Sequence, residues 1–169
     1  MTIASLIIVI FLFIILTFVW PPDSPWSPWW RTTRKVARAA CKLAGISNND
    51  IVFELGSGDG EFTLVSAKEF HSKKSIGIEV EHTRYFTSKI KRIIRNIKNA
   101  QFVRKDFKTV NLSKATIVYF YLVPAVINRI LPKLKKELKP GTKIVSLKYT
   151  VPLKLIKKDK KNELYLYEI

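Results

Sequence analysis

The chain has 169 residues, with 30 Lys or Arg against 13 Asp or Glu and a formal charge of +17 at neutral pH. That length suits one domain with a sizeable core once an apolar start is set aside, and it leaves no room for a second catalytic domain. The lone Cys41 excludes an internal disulfide. With only His71 and His82 beside it, a zinc site of the usual kind lacks ligands, so we expect no structural metal and a reducing compartment.

Residues 3–20 are apolar apart from Ser5 and Thr17, which predicts a transmembrane helix over residues 1–20, long enough to cross about 30 Å of hydrocarbon. A secretory signal would need a basic start and a small-residue cleavage site, and the chain has neither. Arg31, Arg34, Lys35 and Arg38 follow the segment and no cation precedes it, which puts the rest of this single-pass chain on the cytoplasmic side of the membrane. Residues 21–31 form a Pro/Trp-rich juxtamembrane linker. There Pro21, Pro22, Pro25 and Pro28 alternate with Trp26, Trp29 and Trp30, a stiff spacer with an interfacial aromatic belt. Trp29 and Trp30 stand close enough to the following domain to cover a ligand.

Residues 32–169 read as that domain. Thr32 or Thr33 caps a helix running to Ala44 and stopped by Gly45. A buried parallel strand over 51–55 follows, then a helix over 61–70, a strand over 75–79 and a helix over 82–97. Short strands over 101–104 and 116–121, a helix over 125–138 ended by Pro140-Gly141, and a strand over 143–148 continue the alternation. Segments 153–157 and 164–168 close the chain as an antiparallel pair. The fold class is therefore α/β, a doubly wound, mostly parallel, Rossmann-like sheet.

Gly56, Gly58 and Gly60 lie between the first strand of this sheet and the next helix, where doubly wound sheets open their ligand crevice. A dinucleotide fingerprint would put a small residue where this chain has Glu61. A carboxylate there would face a pyrophosphate, whereas S-adenosylmethionine has no phosphate and carries sulfonium and ammonium cations. Glu54 and Asp59, flanking Gly56, Ser57, Gly58 and Gly60, suit such a cation. Glu79 ends the second strand, where an acid accepts from ribose hydroxyls, with Val80 beside it. Asp106, followed by Phe107, is placed to accept from an exocyclic amine such as that of adenine.

Phe53-Glu54-Leu55-Gly56-Ser57-Gly58-Asp59-Gly60, Gly77-Ile78-Glu79, Asp106 and the run from Leu138 to Ser146 resemble the seven-strand (class I) methyltransferases. From residue 27 to 169 the chain is similar to small protein-lysine methyltransferases, the family of archaeal broad-specificity and mitochondrial membrane-anchored enzymes. Tyr121-Leu122-Val123-Pro124 carries the closer part of that resemblance. The family's Pro-aromatic-x-Pro-Ser/Thr motif is only approximated by Pro28-Trp29-Trp30-Arg31-Thr32-Thr33, and Leu147-Lys148-Tyr149 stands where relatives often show a His or Asn.

The resemblance implies S-adenosylmethionine as cofactor and in-line methyl transfer to a neutral lysine amine, with Tyr121 and Pro124 at the acceptor and Tyr119 beneath it. Desolvation against aromatic walls would help the acceptor lose its proton. Nucleic-acid amine methyltransferases usually carry an Asn/Asp-Pro-Pro-Tyr-like motif at this point, and this chain lacks its polar head. A small-molecule or lipid head-group acceptor is compatible with the same residues, as is a non-catalytic module tethered to the membrane. A bilayer anchor would favour protein lysines near the membrane, and Lys89, Lys91, Arg92, Arg95 and Lys98 form a basic face suited either to anionic lipid or to solvent.

Overall fold

The structure, a computed structural model, describes residues 3–19 and 30–169. It begins with α1 (Ile3–Val19), followed by α2 (Arg34–Ala44), β1 (Ile51–Leu55), α3 (Glu61–Lys68), β2 (Lys74–Glu79), α4 (His82–Ile94), β3 (Ala100–Arg104), β4 (Ile117–Phe120), α5 (Pro124–Glu137), β5 (Lys143–Leu147), β6 (Leu155–Asp159) and β7 (Leu164–Glu168). A single 3-10 turn, Phe107–Thr109, sits between β3 and β4.

The seven strands form one sheet in the order β3-β2-β1-β4-β5-β7-β6. β1 pairs in parallel with β2 and β4, and β7 runs antiparallel between β5 and β6. The order reverses between β1 and β4, which places the carboxyl ends of those two strands at the topological switch point. Alternating residues of β4 feed opposite faces: Val118 and Phe120 pack beneath α5 with Ile127, Ile130 and Leu134, whereas Ile117 and Tyr119 pack with Ala37, Ala40, Phe62 and Val65 of α2 and α3.

Local chemistry sets the helix ends. The Thr33 hydroxyl accepts from the Val36 N–H, and Gly45, with φ of 66°, closes α2 in the left-handed region. Pro124 occupies the first turn of α5, where its missing N–H costs nothing. α4 stops at Ile94, three residues before the expected end, because Asn96 turns left-handed with φ of 50°. α3 likewise ends at Lys68 rather than at residue 70. β6 starts at Leu155 and carries a bulge between Leu155 and Lys157. Lys154, Lys157 and Lys158 line this exposed edge and guard it against pairing with another chain.

The expected transmembrane span is not supported at the amino end. α1 is apolar, with Ile3, Phe11 and Phe13 well exposed, and spans 17 described residues. Among the described residues no helix is long and apolar enough to cross a membrane. Trp20 and the Pro/Trp segment through Trp29 lie outside the described residues.

Gly60 joins the glycine turn to α3 under tight steric limits. Its φ is 77°, and a Cβ there would stand 2.4 Å from the Phe102 ring and 2.9 Å from Ser88 Cβ. Gly60→Ala should therefore destabilise the fold by about 3 kcal/mol, combining the left-handed penalty with overpacking. Urea unfolding checks this, and an unchanged midpoint would mean that α4 and β3 shift aside freely.

Candidate active site

The loop after β1 has left-handed φ at Gly56, Gly58 and Gly60, at 72°, 53° and 77°. This folds the backbone over the carboxyl end of the sheet. The Gly56 and Ser57 N–H groups both donate to the Ile78 carbonyl at 2.9 Å, tying the loop to β2. Glu79, buried at the end of β2, accepts from the Gly58 N–H at 2.7 Å and from the Val80 and Glu81 N–H groups at 3.0 Å each. A carboxylate has about four acceptor sites, so Glu79 braces the loop and keeps capacity for a ribose hydroxyl. Val80 is exposed beside it.

Glu54 lies beneath the loop, 3% exposed. The Thr63 N–H and hydroxyl donate to its Oε2 at 2.9 and 2.6 Å. Burial pushes its carboxyl up to about 8, against the Thr63 hydrogen bonds, with the nearby charges of Asp59 and Glu79 adding to the rise. Among the described residues no cation is paired with this carboxyl. The Ser57 hydroxyl is also buried and has no hydrogen-bond partner among the described residues. An unpaired hydroxyl and an underpaired acid at one turn fit a polar, cationic ligand such as S-adenosylmethionine.

Asp59 behaves differently from the expectation that it faces the ligand's cation. Arg31 Nε and Lys91 Nζ both stand 2.6 Å from its Oδ2, so the chain itself neutralises this carboxylate. Glu61 is held bidentately by Arg95 at 3.0 Å, with Lys91 at 3.8 Å. The Arg92 guanidinium donates to the Ala100 carbonyl. Three cations of the expected basic face, Lys91, Arg92 and Arg95, are thus engaged inside the domain. Spacing along α4 alone does not distinguish its inner from its outer side.

Asp106 caps the 3-10 turn, its Oδ1 accepting from the Lys108 N–H at 2.9 Å, and it stays half exposed past the end of β3. Phe107 packs against the core beneath α5. Because β3 pairs with β2 through Arg104 and Glu79, Asp106 follows on the same rim as Glu79.

β4 ends at Phe120, so Tyr121 falls just past the strand and Pro124 opens α5. Tyr121 and Tyr149 lie with ring centroids 6.4 Å apart. Trp30 stands on the same corner, with the Lys148 Nζ 5.0 Å from its ring centroid. Tyr119 is core, as expected: it is buried, stacked on Phe62 at 3.9 Å, and its hydroxyl shares a hydrogen bond of 3.0 Å with the Thr32 hydroxyl. Thr32 and Arg31 thereby strap the stretch after the linker across β4 and the glycine loop. Sequence patterns do not reveal this strap apart from Trp30; the only signal for it is a threonine pair and an arginine beside a family motif. Trp29 lies outside the described residues. Among those described, no cluster of His, Cys, Asp and Glu could hold a metal.

A seven-strand sheet of this order, with a glycine turn and an acid at the ends of β1 and β2, defines a class I methyltransferase. Residues 54–157 match the model of the ANTKMT methyltransferase domain, and the chain is 36% identical over 161 residues to a protein-lysine N-methyltransferase of Saccharolobus islandicus, covering 88% of this chain and 95% of that protein. The chain belongs to the ANTKMT methyltransferase family. Among solved structures, an RNA methyltransferase from Salinibacter ruber in complex with S-adenosyl-L-homocysteine superposes with a TM-score of 0.76 at 25% identity, over 83% of this chain and 94% of that one. A methyltransferase from Geobacter sulfurreducens, also with S-adenosyl-L-homocysteine, shares the fold with a TM-score of 0.58 at 20% identity, over 68% and 47%.

The raised Glu54 carboxyl has a consequence for stability. Its folded value of about 8 lies above the ordinary 4.5, so its contribution is fully present below pH 4.5 and is lost as pH rises to about 8. Glu54→Gln keeps an acceptor for Thr63 and removes the titration. In the absence of cofactor, the wild-type unfolding free energy should fall relative to that of Glu54→Gln between these limits, and parallel curves from urea titrations would refute the assignment.

Proposed function

We propose that this methyltransferase is a protein-lysine N-methyltransferase that uses S-adenosylmethionine. The observation that carries the acceptor class is the aromatic corner of Trp30, Tyr121 and Tyr149 beyond β4 and β5, which offers ring faces to an alkyl amine. It stands where the residues after β4, Tyr121-Leu122-Val123-Pro124, supply no amide or carboxylate to hold the edge of a planar base. The similarity to the Saccharolobus protein-lysine N-methyltransferase supports the same reading.

Glu79 and the loop N–H groups would hold the cofactor's nucleoside, and Glu54 and Ser57 its polar groups. When bound, S-adenosylmethionine supplies a sulfonium methyl to the lone pair of a neutral amine, and the electrons of the broken carbon–sulfur bond leave on sulfur. The protein's part is positioning and exclusion of water: the strap of Trp30, Arg31 and Thr32 covers the crevice, and Pro124 stiffens the chain behind Tyr121. An RNA acceptor is the second reading, favoured by the charge of +17 and by the Salinibacter structure. The exposed apolar surface of α1 supports association with a membrane on its cytoplasmic side, with nearby membrane proteins as targets.

Glu79→Ala should weaken cofactor binding at least tenfold in calorimetry, since it removes both the ribose acceptor and the brace on Gly58; unchanged affinity would displace the ribose contact from Glu79. Incubation of the full chain with methyl-labelled cofactor and a membrane extract, followed by mass spectrometry, should place label on lysine side chains. Label confined to RNA or to lipid would overturn the lysine reading.

A further inference from the structure

The corner that would receive the acceptor already holds a cation. Lys148 follows β5 with φ of 70°, a left-handed conformation that a side chain with a Cβ adopts only at a cost. Its N–H donates to the Glu163 carbonyl at 2.7 Å, which fixes the bend. The exposed side chain then lies among the rings, with Nζ 5.0 Å from the Trp30 centroid and 5.8 Å from that of Tyr149, and it also interacts with the Tyr121 hydroxyl. The charge of Lys148 acts on the Tyr121 hydroxyl beyond β4 together with Tyr149 beyond β5 and Glu163 before β7. Arg31, next to Trp30, is turned away onto Asp59.

Aromatic faces by themselves attract the ammonium form of lysine, which has no lone pair to attack with. A resident cation changes that preference, because a second positive charge in the same corner is repelled. We propose that Lys148 sets the charge state of the acceptor: its ammonium, seated against Trp30 and Tyr149, repels a second cation, so that the incoming lysine binds beside it as the neutral amine after giving its proton to water. Lys148 is thus a positioning residue that acts through the acceptor. The inference rests on the lysine reading above.

The test compares wild type with Lys148→Gln and Lys148→Arg as full chains. Methyl transfer into lysine of a heat-treated total protein extract is followed from pH 6 to 10. Removing the charge should move the acidic limb of the rate profile up by about one pH unit, and Lys148→Arg should restore it. Affinity for Nα-acetyl-lysine methylamide, followed by NMR without cofactor, should rise with pH in wild type and lose that rise in Lys148→Gln. An unmoved limb, a uniform gain in rate for Lys148→Gln, or an arginine variant behaving like glutamine would overturn the role of Lys148. Absence of lysine methylation by wild type would instead overturn the reading beneath it.

Discussion

The site depends on burying carboxylates around one turn of a strongly basic chain. Glu54, Asp59, Glu61 and Glu79 are all buried within the two strand ends and the helix start that make the crevice, and each is compensated in its own way. Asp59 and Glu61 take Arg31, Lys91 and Arg95 as counterions. Glu79 takes three backbone N–H groups. Glu54 has only Thr63, and its carboxyl rises accordingly. Because an unpaired buried charge costs several kcal/mol, the one acid left short of a partner marks where a cationic ligand has most to gain.

The same network ties the start of the domain to the catalytic end of the sheet. Arg31 reaches Asp59 and Thr32 reaches Tyr119, so the residues that follow the linker are held by the site itself. Trp30 is carried with them onto the corner of Tyr121 and Tyr149. Glycine turn, strap and aromatic corner are therefore mechanically continuous: α2 begins at Arg34 directly after the strap, and its Arg34 and Arg38 clamp Glu69 past the end of α3.

Much of the fold is legible in the chain because its signals are local. Ile51–Leu55 reads as a buried strand from an apolar run interrupted by Glu54, and Gly45 and Pro140-Gly141 punctuate helices through their backbone preferences. The ends of α3 and α4 escape such reading because apolar spacing continues through Phe70 and Ile97 while the backbone has already turned, Asn96 into the left-handed region.

The class of chemistry is written locally: glycines at alternate positions, with Glu61 where a dinucleotide fingerprint has a small residue, depart from the dinucleotide pattern. Long-range folding assigns each acid its part. Asp59 and Glu54 are equivalent by composition, yet Lys91 and Arg31, from distant segments, converge on Asp59, while Glu54 is sealed under the loop with a threonine. Folding also turns Lys148 from a departure from a family pattern into a cation among three aromatic rings. Both outcomes depend on which distant charges fold to within a few ångströms, and Coulomb energy at that range depends on separation and burial that no local pattern encodes.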